Sequence, residues 1–233
     1  MNGEHEVNIL ISRQQQTTTI ELKGRLSSPE SVKGLVIFAH GSGSGATSSR
    51  NQKVAQILNK NGFATLLFDL LTHEEQESDD KSPDLMNKVP GLTLNKFNLE
   101  LLTERLDAAT QWVQNNDDIK HQAIAYFGAS TGAAAALYTA SSFKDVKTVI
   151  SRGGRTDLVD KNTILNVTCP CLFIVGGNDK EVIEINKKTI DQLTNVKVKE
   201  LEVIEGASHL FEEEGKIEEV GNVAARWLEG TMK

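Results

Sequence analysis

Cysteine is scarce: the 233 residues hold two, Cys169 and Cys171, with one proline between them. Neighbours so placed do not readily reach disulfide geometry, and two thiols without a nearby histidine make a poor zinc site. Both read as buried strand residues, so no metal is expected and a reducing cytoplasm is the expected compartment. No apolar run approaches the roughly 18 residues of a membrane helix, so no membrane contact is expected. The opening MNGEHEVNIL lacks a basic stretch followed by an apolar stretch and a cleavage site, so no secretion signal is expected. Basic side chains are the minority, with 25 Lys and Arg against 32 Asp and Glu and a net charge of −7. That balance disfavours nucleic acid, whose phosphates need a basic face. The acidic clusters at 74–80 and 212–214 read as solvated surface. Repeats and splitting linkers are also missing, which leaves a single domain spanning 1–233. Its oligomeric state is expected to be monomer or homodimer.

What is present alternates between two periods. Solid apolar runs at 34–39, 63–70, 122–127, 146–151 and 171–175 suit strands buried on both faces. The run 196–204 alternates more, as a strand near an edge does, and 7–11 with 18–26 predict an antiparallel opening pair. Helical spacing fills the gaps at 50–61, 94–113, 131–141, 181–193 and 216–228. Strands alternating with helices predict an α/β fold with a mostly parallel sheet covered on both faces. Functional groups of such sheets lie beyond the carboxyl ends of the strands. The polar segment 72–93 reads as a long loop able to act as a partial lid.

The strand ends carry the chemistry. After 122–127 comes Gly128-Ala129-Ser130-Thr131-Gly132, a G-x-S-x-G between a strand and a helix. This is the context of a nucleophile elbow, whose tight turn needs small residues two positions either side of the serine. A serine hydroxyl needs a base, and the base needs an orienting group. Asp179 follows the strand 171–175 and His209 follows 196–204, so acid and histidine succeed the serine in the required order. Asp157 and Asp160 remain rival acids. The loop FAHGSGSGATSSR after 34–39 offers backbone N–H groups, but Gly41-x-Gly43-x-Gly45 is neither G-x-G-x-x-G nor followed by Gly-Lys-Ser/Thr. No nucleotide and no cofactor is therefore expected.

These motifs resemble the α/β-hydrolase superfamily, and within it the dienelactone-hydrolase-like branch. The residues that carry the resemblance are His40 to Ser44, Phe127 to Ala135, Ser151 to Asp157 (SRGGRTD), Val175 to Asp179 (VGGND) and Gly206 to Glu212 (GASHLFE). It runs over about residues 34–230. It implies an α/β-hydrolase fold with Ser130, His209 and Asp179 as a triad, and the Ser42 and Thr131 N–H groups as the oxyanion hole. Dienelactone hydrolases proper use a cysteine nucleophile where this chain has Ser130, which favours a general serine esterase. Similar domains occur alone and fused to a phosphoribosyltransferase, and no such second domain is expected in these residues.

The short stretch between Arg152 and Cys169 leaves no room for a large helical cap, so the expected substrates are small soluble esters with short acyl chains. The same triad also serves thioester cleavage or acyl transfer, and a binding protein that has lost turnover is the alternative outside enzymes. Of seven arginines, Arg50, Arg152 and Arg155 fall in loops at the functional end. They are expected either to hold an anionic group of the substrate or to pin loops to carboxylates such as Asp157. His40 is counted with them as a substrate contact.

Overall fold

The computed structural model describes residues 3–12, 19–81 and 93–232. Eight strands form one sheet: β1 (Gly3–Ser12), β2 (Thr19–Ser28), β3 (Gly34–Ala39), β4 (Phe63–Phe68), β5 (Ile124–Ala129), β6 (Val146–Arg152), β7 (Cys171–Gly176) and β8 (Lys199–Ile204). Their order is β1-β2-β4-β3-β5-β6-β7-β8. β1 and β2 pair antiparallel, β2 joins β4 antiparallel, and every later pairing is parallel. The seven helices are α1 (Ser49–Lys60), α2 (His73–Lys81), α3 (Leu99–Asn115), α4 (Thr131–Ser142), α5 (Lys161–Asn166), α6 (Lys180–Gln192) and α7 (Lys216–Thr231) among the described residues.

The apolar runs behave as their composition requires. All six residues of β3, β4, β5 and β7 are buried, because each strand feeds two cores. In β3, Leu35 and Ile37 enter the core beneath α3, α4 and α5, while Val36 and Phe38 enter the core beneath α1 and α7. β8 lies at the edge, and its half-exposed alternation follows. Buried polar groups are paired across elements: Trp227 donates to the Thr148 hydroxyl at 2.7 Å, and the Thr110 and Tyr126 hydroxyls meet at 2.8 Å. No helix among the described residues is long and apolar enough to cross a membrane.

The segment 72–93, expected to be a long loop, departs from that expectation. Residues 73–81 form α2, and 82–92 lie outside the described residues, so the lid expectation there stays untouched. α2 contains no apolar residue to give it a periodic face. Reciprocal capping starts it: the Thr72 hydroxyl accepts from the Glu75 N–H, and the Glu75 carboxylate accepts from the Thr72 N–H. Two of its acids then anchor it. Glu75 pairs at 2.8 Å with Arg105 of α3, whose side chain is fully buried. Asp79, 1% exposed, accepts from the N–H groups of Asn95 and Lys96. This corrects the reading of 74–80 as plain solvated surface. It also explains why the helix expected from 94 begins at Leu99: residues 95–97 make a 3-10 turn held by Asp79, and Asn98 caps α3.

Candidate active site

The sheet order brings the ends of β3 and β5 side by side, and the candidate site is built outward from that point. Ser130 joins β5 to α4 with φ 51° and ψ −118°, a backbone region that a residue bearing a Cβ rarely occupies. Its surroundings hold it there. The Ser130 N–H donates to the Arg152 carbonyl at 3.0 Å, and its own carbonyl accepts from Ala133 at 3.1 Å and Arg155 at 3.0 Å. The flanking glycines are a packing requirement. A Cβ on Gly132 would collide with the carbonyl oxygens of Ala39 and His40, and one on Gly128 with the backbone of Gly132 and Ala133. The four alanines that follow are fully buried, so α4 sits close to the sheet.

Asp179 and His209 come from neighbouring strand ends that are stitched together. The Gly177 N–H donates to Ile204, Asn178 to Ala207, and the Asn178 amide to Gly206. Asp179 stands at the N-terminus of α6, but its side chain makes no capping bond. It meets His209 Nδ1 instead, at 2.5 Å. Since a carboxylate accepts, Nδ1 carries the proton of that contact, which leaves Nε2 as the basic nitrogen of the neutral ring. Gly153, with φ 54°, lies beneath the imidazole; a Cβ there would sit 3.4 Å from Cε1. The rival acids are occupied elsewhere. Asp157 forms a two-pronged pair with Arg155, and Asp160 caps α5 through Asn162 and Thr163.

Three N–H groups of the loop after β3 are spent on the loop itself and on the end of β4. Ser44 donates to Gly41, Ser48 to Gly45, and Ala46 to the Asp69 carboxylate at 2.7 Å. The Ser42 N–H has no acceptor among the described residues. Thr131 opens α4, where a helix's first N–H groups lack intrahelical acceptors. Ser42 and Thr131 line one narrow cavity together with Leu71, Gln76, Lys96 and Leu102. Gly41 backs onto Ser130, so that a Cβ on it would lie 3.1 Å from the Ser130 Cβ.

His40 departs from its expected role. It is buried, and both ring nitrogens are engaged by backbone: Nδ1 meets the Gly41 carbonyl at 2.9 Å and Nε2 accepts from the Leu70 N–H at 2.9 Å. That pattern fixes a neutral Nδ1–H tautomer and leaves no ring nitrogen for a substrate. Burial pushes its pKa below the ordinary value, against the opposing pull of the Gly41 bond and Asp69. His40 and Asp69 thus tie the glycine loop to the end of β4 from both sides. Sequence reading passed over Asp69, although it too stands at a strand's carboxyl end.

The arginines divide. Arg155 is bound to Asp157 at 2.9 Å through both Nε and Nη2, the loop-pinning role. Arg50 pairs with Glu212 at 3.1 Å. Arg152 is buried, reaches the Asn51 side chain at 3.3 Å and lies over the Phe211 ring at 5.8 Å. The second acidic cluster is also more than surface: both Glu213 oxygens accept from the Ser208 N–H at 3.0 Å, which fixes the residue before His209. Among the described residues, no group of three or more His, Cys, Asp or Glu side chains is placed to hold a metal ion.

Known proteins match this architecture. Est1E from Butyrivibrio proteoclasticus, 16% identical, shares the fold with a TM-score of 0.72 over 96% of this chain and 98% of its own. A curated protein of Mycobacterium tuberculosis named "Putative phosphoribosyl transferase" is 43% identical over 210 residues. That match takes in 90% of this chain and 44% of the relative, so the chain spans less than half the relative's length. The crystal structure of a dienelactone hydrolase from Anabaena variabilis is 40% identical, with a TM-score of 0.86 and 100% of both chains covered. The sequence pattern of the Dienelactone hydrolase family runs from residue 22 to residue 232, from within β2 to the end of α7, and the chain belongs to that family.

Proposed function

We propose that this protein is a serine hydrolase of small carboxylic esters. Membership of the dienelactone hydrolase family supports ester hydrolysis. The observation that carries the serine mechanism is the 2.5 Å contact between Asp179 and His209 Nδ1, made from strand ends on the same side of the sheet as the strained Ser130. A carboxylate that selects the Nδ1–H tautomer leaves Nε2 to act as base.

In this reading Ser130 Oγ attacks the ester carbonyl carbon while His209 Nε2 takes the hydroxyl proton. Asp179 stabilises the resulting imidazolium. The Ser42 and Thr131 N–H groups hold the negative oxygen of the tetrahedral intermediate. Collapse expels the alcohol, which receives the proton from His209, and leaves an acyl group on Ser130. Water, deprotonated by His209, then attacks the acyl-enzyme, releases the acid and restores the serine. The segment between β6 and β7 holds only a three-residue 3-10 turn and the six-residue α5. With no large cap there, the reading favours short acyl chains over long lipids.

The test is covalent labelling. A fluorophosphonate probe should add one mass increment to the intact protein, placed on Ser130 by peptide mapping, and Ser130→Ala should lose both the label and hydrolysis of p-nitrophenyl acetate. Hydrolysis undiminished in Ser130→Ala overturns the mechanism.

A further inference from the structure

Arg152 poses an electrostatic problem that the triad does not solve. It is 6% exposed, and no carboxylate pairs with it among the described residues. Its Nη2 reaches only the neutral Asn51 oxygen, and its Nε has no acceptor. Burial, with the charge of a second cation, Arg50, acting the same way, lowers the Arg152 pKa to about 10, so the guanidinium stays positive at neutral pH. Arg50 also has a buried Nε without an acceptor. Its one carboxylate, Glu212, is bound from the surface, with 64% of its side chain exposed. Of the two guanidinium groups only that of Arg50 has a carboxylate partner among the described residues, and an exposed one, whereas buried charges are normally paired.

The location gives this imbalance meaning. The Arg152 carbonyl accepts the N–H of Ser130, and its guanidinium lies against Phe211, two residues beyond His209. Asn51 and Arg50 lie on α1, which follows the glycine loop. A group held between the two arginines would touch the elements that carry the nucleophile, the histidine and the oxyanion loop.

We infer that Arg50 and Arg152 form a binding site for an oxyanion, a carboxylate or phosphate group, beside the candidate active site. Guanidinium N–H groups suit such planar or tetrahedral oxygens, and two unused Nε donors are available to them. The anion is either part of the ester substrate or a free ion that braces the histidine loop. The first case rests on the hydrolase reading; the second does not.

The full chain serves for the test. Turnover of p-nitrophenyl acetate is compared with that of the half-esters mono-p-nitrophenyl succinate and glutarate, which carry a carboxylate on the acyl side. In parallel, melting temperature is followed in sodium phosphate against sodium chloride at equal ionic strength. Arg152→Gln, Arg50→Gln and the conservative Arg152→Lys are compared, with circular dichroism and fluorophosphonate labelling reporting an intact fold and site. If the anion belongs to the substrate, kcat/KM for a half-ester relative to the acetate falls about tenfold or more in Arg152→Gln and is partly kept in Arg152→Lys. If it is a free ion, phosphate raises the melting temperature of the wild type but not of the glutamine variants, and the ester ratio does not move. Variants that stay folded and match the wild type in both ester ratio and phosphate response overturn the site. A wild type that takes no label but keeps the phosphate response sinks the hydrolase reading and leaves the anion site standing.

Discussion

The carboxylate of Asp179 and Nδ1 of His209 meet at 2.5 Å across two strand ends, while the backbone of Asp179 starts α6. The residue begins a helix with its main chain and serves the histidine with its side chain. Because the side chain makes no capping bond, changing its charge leaves the helix start intact. Asp179→Asn is expected to fold normally and to lose about 10⁴-fold in kcat, since an amide facing Nδ1 favours the wrong tautomer. Steady-state kinetics on p-nitrophenyl acetate check this; a loss below about tenfold would remove Asp179 from the mechanism.

Asp69 holds the glycine loop through the Ala46 N–H without lining the Ser130 elbow. Asp69→Ala is expected to lower kcat by between about tenfold and about 10³-fold, the upper bound being the loss of one oxyanion donor. KM should change little, because the loop acts on the transition state. A change in KM with unchanged kcat would point to ground-state binding instead.

His40 links folding to pH. Its neutral ring is bonded at both nitrogens, and burial lowers its pKa from 6.5. The unfolded chain binds this proton at a higher pH than the folded chain does. The stabilisation is therefore complete above about pH 6.5 and drains away as pH falls from there towards the lower folded value. Urea midpoints of the wild type and His40→Gln, taken from pH 5 to 8, should differ most at the alkaline end and converge in acid. A constant difference across the range would exclude the linkage.

The ion pair between Glu75 and Arg105 ties α2 to α3, with the arginine fully buried. Glu75→Leu leaves that cation without its partner and is expected to cost about 3 kcal/mol or more. Replacing both residues, as in the double variant Glu75→Leu, Arg105→Met, should cost less than the sum of the two single changes. Urea denaturation of the four proteins closes the cycle, and simple additivity would show that the two side chains do not depend on each other.

The strand runs and the candidate residues at their ends were legible because each rests on local pattern. Runs such as GLVIFA and FATLLF contain nothing that tolerates water, and G-x-S-x-G needs its glycines within two residues of the serine. α2 was illegible to hydrophobic periodicity, since HEEQESDDK has no apolar face; only the Thr72–Glu75 capping pair announced it. The acidic clusters were misread because the partners of Glu75, Asp79 and Glu212 are set by tertiary folding. Arg105 and Arg50 lie 30 and 162 positions from theirs. The spacing of charges along a chain carries no record of such pairings. His40 was misassigned for a related reason: its second partner is a backbone N–H at Leu70, and backbone groups leave no mark in composition.

Ser130 is held entirely by its main chain. Its N–H and its carbonyl are bound by residues 133, 152 and 155, and the clearances that shape the turn belong to Gly128, Gly132 and Gly41. The side chain contributes nothing to the scaffold that presents it. The elbow is therefore a socket, indifferent to the reactive atom it carries, and a thiol could replace the hydroxyl there without any neighbour being rebuilt. On the proposed hydrolase reading, such a frame lets the nucleophile be exchanged in one step while its surroundings stay in place.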